Sequence, residues 1–215
     1  MLYHKQQTLL SSVFRMRSFI KIWQYVVASK FNEPFYIREL SKKTGTNPKD
    51  VYCWLEEAKK NELVVEHSKA GRTKFYRLNL DNIITQKIVE LILAIAVRRI
   101  TTKEFFYELV SEVTQAGGVV SIILYGSHAR GSASERSDVD LLVVINNDMK
   151  PRKIRDLCEV VADRYARKIE PVIVTESQFG KMLHDKEKFI TNVMSDGVPL
   201  YGFENYLNYR KESNL

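Results

Sequence analysis

The stretch 124-LYGSHARGSASERSDVDLLVV-144 constrains this chain more than any other. An apolar run, 119-VVSIILY-125, stops at Gly126-Ser127; ten residues follow, and the next run opens with Asp138-Val139-Asp140 and continues to Ile145. Both runs have the length and β-branched content of buried strands. In a strand alternate side chains share a face, so Asp138 and Asp140 point the same way with α-carbons about 7 Å apart. Two unpaired carboxylates ~5 Å apart repel by about 3 kcal/mol at an effective dielectric near 20. A hard divalent cation relieves that repulsion, and magnesium is commonly held by one or two carboxylates together with phosphate oxygens. The Gly-Ser corner supplies the complement, because a residue without a side chain lets an anion approach backbone N–H groups closely. The pattern therefore predicts a phosphate-binding bend facing a metal-binding aspartate pair.

The 215 residues suffice for two modest domains. Residues 1–82 carry 15 Lys and Arg against 8 Asp and Glu, whereas residues 83–215 carry 18 of each, so the whole net charge of +7 belongs to the first part. A basic module ahead of a neutral one suits a phosphate-backbone or acidic protein partner. Cys53 and Cys158 have no partner spacing, which argues against a disulfide framework or a zinc site and fits a reducing cytoplasm. No signal peptide is read in the first residues. The most apolar run, 88-IVELILAIAV-97, is too short to cross a bilayer and reads as a buried or dimerisation helix, so no membrane partner is expected.

In the basic part, Phe19, Ile20, Ile22, Trp23, Val26 and Val27 recur at helical spacing, predicting a helix over 16–30. A second follows in 36-YIRELSKKTG-45, closed by Gly45, and a third over 48–61, with Asn47 as N-cap and Pro48 at the first position. Two β-rich segments, 63–67 and 75–80, flank the polar loop 68-SKAGRTK-74. Three helices and a basic hairpin resemble the winged helix-turn-helix domains of prokaryotic transcription regulators. If the resemblance extends to DNA, the third helix presents Asn47, Lys49, Tyr52 and Cys53 to the major groove, and Lys69, Arg72 and Lys74 meet phosphates.

Gly126-Ser127, ten residues, then Asp138-Val139-Asp140 resembles the signature of the DNA polymerase β-like nucleotidyltransferase superfamily, especially its minimal bacterial and archaeal members. The resemblance implies transfer of a nucleoside monophosphate, with AMP from ATP the expected case, onto a protein or RNA hydroxyl, with pyrophosphate leaving. Gly126 and Ser127 then bind the triphosphate, and Asp138 and Asp140 hold two magnesium or manganese ions. The superfamily adds a third carboxylate from a later strand, a metal ligand and base; in 169-IEPVIVT-175 the candidate is Glu170, with Glu for the usual Asp and Pro171 beside it, and Glu176 is a poorer one. Arg130 either neutralises phosphate charge or pairs with Glu135, and His128 is expected to be exposed in a polar loop. A helix over 151–168, and a helix and closing strand over 189–202, complete the domain, with Tyr201 at most a wall of the base pocket. Minimal nucleotidyltransferases often serve as antitoxins that modify a partner toxin, which makes a protein acceptor one expectation.

The predicted architecture is α+β: a winged helix-turn-helix over 1–82, a helical linker over 83–116, and a mixed-sheet nucleotidyltransferase domain with flanking helices over 117–205. The competing function is a DNA-binding regulator whose nucleotidyltransferase-like domain senses nucleotide without catalysis. A homodimer through residues 82–116 is expected from the apolar helix there.

Overall fold

In the computed structural model, residues 17–31, 33–98, 103–134 and 137–212 are described, and the chain divides into two units, Met1–Ile92 and Leu93–Leu215. In the first, α1 (Arg17–Ser29), α2 (Ile37–Thr44) and α3 (Pro48–Lys60) pack on one another. Each has its apolar residues on one stripe: Phe19, Ile22, Trp23, Val26 and Val27 of α1, Leu40 of α2, and Val51, Trp54, Leu55 and Ala58 of α3 are buried. Trp23 and Trp54 meet edge to face with ring centroids 5.2 Å apart, and burying side chains of this kind contributes about 1.5–3 kcal/mol apiece. The caps follow the sequence. Gly45 ends α2 in the left-handed region at φ 64°, and the Asn47 side chain accepts the Lys49 N–H at 2.9 Å to start α3.

The antiparallel hairpin of β1 (Val64–Ala70) and β2 (Thr73–Leu78) is longer than expected. Pairing runs through the polar residues to Ala70 opposite Thr73, leaving Gly71-Arg72 as the turn, with Gly71 at φ 58°. An antiparallel ribbon with a solvated face tolerates polar side chains because its backbone groups pair regardless of them. Helix α4 (Ile83–Arg98) starts where the Asn82 side chain accepts the Ile84 N–H at 2.8 Å.

The second unit is built on a four-stranded mixed sheet. Its elements are α5 (Lys103–Gln115), β3 (Val119–Tyr125), α6 (Gly126–Arg130), β4 (Val139–Ile145), α7 (Pro151–Arg164), β5 (Ile169–Thr175), α8 (Glu176–His184), α9 (Lys188–Asp196), β6 (Val198–Tyr201) and α10 (Phe203–Glu212). The strand order is β5-β4-β3-β6, with β4 and β5 parallel and the other pairs antiparallel. Strands β3 and β4 are apolar on both faces because helices cover both. On one face Ile122, Leu124, Val139, Leu141, Val143 and Ile145 join Phe105 and Leu109 of α5 and Ile154, Cys158 and Val161 of α7 in one core. Helices α8 and α9 lie on the other. The fold is α+β.

Three differences from expectation stand out. Residues 103–115, read as part of a linker, form a helix in the core of the second unit. The loop after Gly126-Ser127 begins as the short helix α6. Helices α8 and α10 were not anticipated; Tyr206 of α10 is buried and donates to Gly197 O at 2.8 Å, fixing the end of α9.

Candidate functional site

The site forms where β3 ends and β4 begins. Gly126 has φ 70°, and a Cβ built on it would lie 2.0 Å from Asp140 Oδ2. The Asp140 carboxylate therefore occupies the space that any other residue at 126 would fill, a second reason for glycine beside its left-handed φ. The loop folds back on this bend, with Ser132 N–H donating to Ser127 O at 3.0 Å.

Strand register gathers the acidic groups. Tyr125 of β3 pairs with Asp140 of β4, and Asp140 pairs with Glu170 of β5, so these three side chains form a row across one face. Asp138 stands two residues before Asp140, one position outside the strand, and falls on the same face. The Lys168 ammonium donates to Asp138 Oδ2 at 2.7 Å and to Glu170 Oε1, bridging the two carboxylates. Pro171, the departure beside Glu170, is accommodated because β5 is an edge strand paired only with β4.

The cluster is electrostatically loaded. Partial burial, then the charges of Glu170 and Asp138, raise the Asp140 carboxyl above the ordinary carboxylate range, while His128 and Arg130 pull it down. Burial first, then Asp140 and Glu170, push the Tyr125 phenol up to about 12, so it stays neutral; its ring packs edge to face on Phe189 at 5.5 Å. Hydrogen bonds to Asp138 and then Glu170 hold Lys168 protonated beyond the usual lysine range. A cavity of about 360 Å³ opens beside Tyr125 and Glu170, with Arg155, Cys158 and Glu159 of α7 among its walls. Burial raises the Cys158 thiol to about 11, which makes it a wall and not a nucleophile.

Among the described residues, no three His, Cys, Asp or Glu side chains are disposed to enclose a metal by themselves. Two carboxylates instead converge on one ammonium, with a third beside them on the same face. Carboxylate oxygens are hard donors, and magnesium usually completes its shell with phosphate oxygens and waters. The residues thus fit a divalent ion shared with a polyphosphate, not a cage made by protein alone.

Other sequence candidates fall differently. Arg130 is exposed with Nη1 3.7 Å from Asp196 Oδ2; the alternative partner Glu135 lies outside the described residues. His128 is buried at 4% exposure, correcting its expected exposure. Its Nε2 lies 3.2 Å from Ser137 O, the residue before Asp138, and its ring meets Phe106 at 6.3 Å. Glu176 follows Thr175, which pairs with Ile145 at the opposite end of β4, so it is remote from the aspartates. Tyr201 pairs with Ile122, three residues back along β3 from Tyr125, and so falls away from the proposed base pocket. In the first unit Asn47, Lys49, Tyr52 and Cys53 are exposed. Lys74 and Lys69 approach Glu66 at 2.9 and 3.7 Å, and the Lys74 hydrogen bond lowers the Glu66 carboxyl; Arg72 is at the tip.

Sequence reasoning missed Tyr125, Lys168 and the burial of His128. The parity of Tyr125 with Asp140 and of Lys168 with Glu170 carried a signal, which becomes readable only once the register is known.

The nucleotidyltransferase domain family pattern matches residues 106–196. The provisionally named protein adenylyltransferase MJ0604 of Methanocaldococcus jannaschii is 35% identical over 46% of this chain and 93% of its own length. A second from the same organism, also provisionally named, MJ1305, is 32% identical over 38% of this chain and 69% of its own. A solved structure titled as a toxin-antitoxin with AMP-PNP aligns over 49% of this chain and 81% of its own, with a TM-score of 0.38 and 16% identity.

Proposed function

The chain belongs to the nucleotidyltransferase domain family, a family of transferases, and from that premise we propose that it moves AMP from ATP to a hydroxyl of a protein. The observation that carries this reading is the convergence of Asp138, Asp140 and Glu170 on one face beside the Gly126 bend. The names of the relatives support AMP and a protein acceptor over RNA.

In this reading Gly126 and Ser127 bind the triphosphate through backbone N–H groups and the Ser127 hydroxyl. Asp138, Asp140 and Glu170 hold divalent metal, magnesium or manganese, which when bound supplies charge neutralisation for the phosphates and a more acidic acceptor hydroxyl. Glu170, the third carboxylate of the row, is the candidate to take the acceptor's proton. Arg130 can leave the exposed, long contact with Asp196 to meet phosphate. The neutral Tyr125 phenol offers a hydrogen-bond donor at the edge of the cavity where a base or sugar fits. Residues 117–205 do the chemistry, and residues 1–82 deliver it to a target, DNA or the acceptor itself, with Asn47, Lys49, Tyr52, Lys69, Arg72 and Lys74 the candidate DNA contacts. The confinement of the positive excess to 1–82 supports that division of labour. A homodimer through residues 82–116 belongs to the same proposal, since Leu91 and Ile95 of α4 are exposed; a monomeric mass in solution excludes it.

The test is incubation with radiolabelled ATP, Mg²⁺ and cell extract. Label should pass to a protein, and Asp138→Ala or Asp140→Ala should lower transfer at least about a hundredfold, the scale of losing a main electrostatic contact to the reacting centre. Nucleotide binding without transfer would favour the non-catalytic regulator.

A further inference from the structure

Lys168 is an element of the acidic cluster that the proposed chemistry does not require. It approaches from the residue before β5, is largely exposed, and places one ammonium between Asp138 Oδ2, at 2.7 Å, and Glu170 Oε1. The backbone brings the residue there: Val139 N–H donates to Lys168 O at 2.9 Å, so Lys168 is stitched beside Asp138 as the parallel pairing of β4 and β5 begins. Lys168, one position before β5, stands two residues from Glu170, and its ammonium reaches the Glu170 carboxylate on that side. The cation is therefore delivered to the gap between the carboxylates from within the fold.

We infer that Lys168 is a built-in counter-ion that competes with a divalent ion for the acidic row and yields it more readily when a triphosphate accompanies the ion. The inference rests on the proposed assignment of Asp138, Asp140 and Glu170 as metal ligands. A divalent ion arriving alone must displace the ammonium from two carboxylates and leave it without an acceptor. When a triphosphate accompanies the ion, the displaced ammonium gains phosphate oxygens as new acceptors, and three rotatable donors on a flexible stem suit that exchange. Lys168 thereby couples the two ligands: each makes the other bind more tightly, by the same factor in both directions. It also offsets the mutual repulsion of Asp138 and Glu170.

The experiment uses the full chain, Mn²⁺ as probe, and electron paramagnetic resonance to count free ion, with and without a non-hydrolysable ATP analogue. The variants are Lys168→Met, which keeps the stem and removes the charge, and Lys168→Arg, which keeps the charge. Lys168→Met should bind Mn²⁺ alone roughly five- to tenfold more tightly, the scale of two exposed ion pairs no longer to be broken. The gain that the analogue gives to Mn²⁺ binding should shrink by a similar factor, and Lys168→Arg should resemble wild type in both. If wild type binds Mn²⁺ and Lys168→Met binds it equally or more weakly, the counter-ion role is overturned while the metal assignment stands. If neither protein binds Mn²⁺ with or without the analogue, the metal assignment itself is wrong and this inference falls with it.

Discussion

Replacing Gly126 by alanine isolates the contact on which the site depends. The added Cβ would lie 2.0 Å from Asp140 Oδ2 and 2.9 Å from Asp140 Cγ, so the carboxylate must withdraw by more than the width of a bond vibration can absorb. Driving that side chain off its rotamer costs about 0.5–1.5 kcal/mol. Independently, alanine at φ 70° carries a left-handed penalty of about 1–2 kcal/mol. Gly126→Ala should thus destabilise by roughly 2–3 kcal/mol in all. In an Asp140→Ala background the nearest remaining side-chain atom is the Cβ at 3.3 Å, a tight but tolerable contact, and only the backbone penalty survives. Urea unfolding of the four proteins of this cycle should give a coupling of about 1 kcal/mol between the two positions. Mn²⁺ binding should be lost in Gly126→Ala, because the carboxylate is pushed out of the row. An equal cost for Gly126→Ala in both backgrounds would refute the contact and with it the reason given for glycine.

Two further outcomes follow from the electrostatics. The Asp140 carboxyl is raised in the folded chain, so its contribution to stability is fully present below the unfolded carboxylate value and is lost as pH rises through the folded one. Asp140→Asn should consequently stabilise the metal-free protein at neutral pH, and the gain should vanish as pH falls through the carboxylate range; urea titrations at several pH values in EDTA check this, and a gain that persists in acid excludes it. For the hairpin, three phosphate contacts from Lys69, Arg72 and Lys74 predict a log–log salt slope of about −3 for binding to duplex DNA. Because Glu66 engages both lysines, Glu66→Gln should tighten that binding; a flat salt response removes the DNA proposal.

Much of the fold was legible because local signals and tertiary packing agree. Gly45, Asn47 and Pro48 bound α2 and α3 where their backbone chemistry requires, and the apolar runs of β3 and β4 became the central strands. Helix α8 was also legible and was overlooked. Thr175 and Gln178 form a reciprocal capping box at its start, and that spacing is visible in 175-TESQ-178. The extension of β1 through 68–70, and of β2 back to Thr73, was not, since side chains facing water on a ribbon carry no alternation of polarity to read. The role of α5 depended on which surface its Phe105, Phe106 and Leu109 would find, which a linear pattern leaves open.

The site divides along the same line. Spacing alone places Asp138 and Asp140 together, because they share a strand and strand geometry has a fixed period. Glu170 is thirty residues away, and its face depends on the register of a parallel pairing made after α7 crosses the sheet. A slip of one residue would have turned Glu170 outward and brought Ile169 or Pro171 opposite Asp140. What selects the observed register is apolar: Val172, Ile173 and Val174 pair with Leu142, Val143 and Val144, and a slip would exchange which of these residues meet α7 and which meet α8. The apolar run of β5 therefore positions its acidic end. A substitution such as Ile173→Asp, in a side chain packed against the core and outside the acidic row, should weaken Mn²⁺ binding as Glu170→Gln does, because the chemistry at one end of the strand is set by packing at the other; Mn²⁺ binding unchanged in folded Ile173→Asp would refute this.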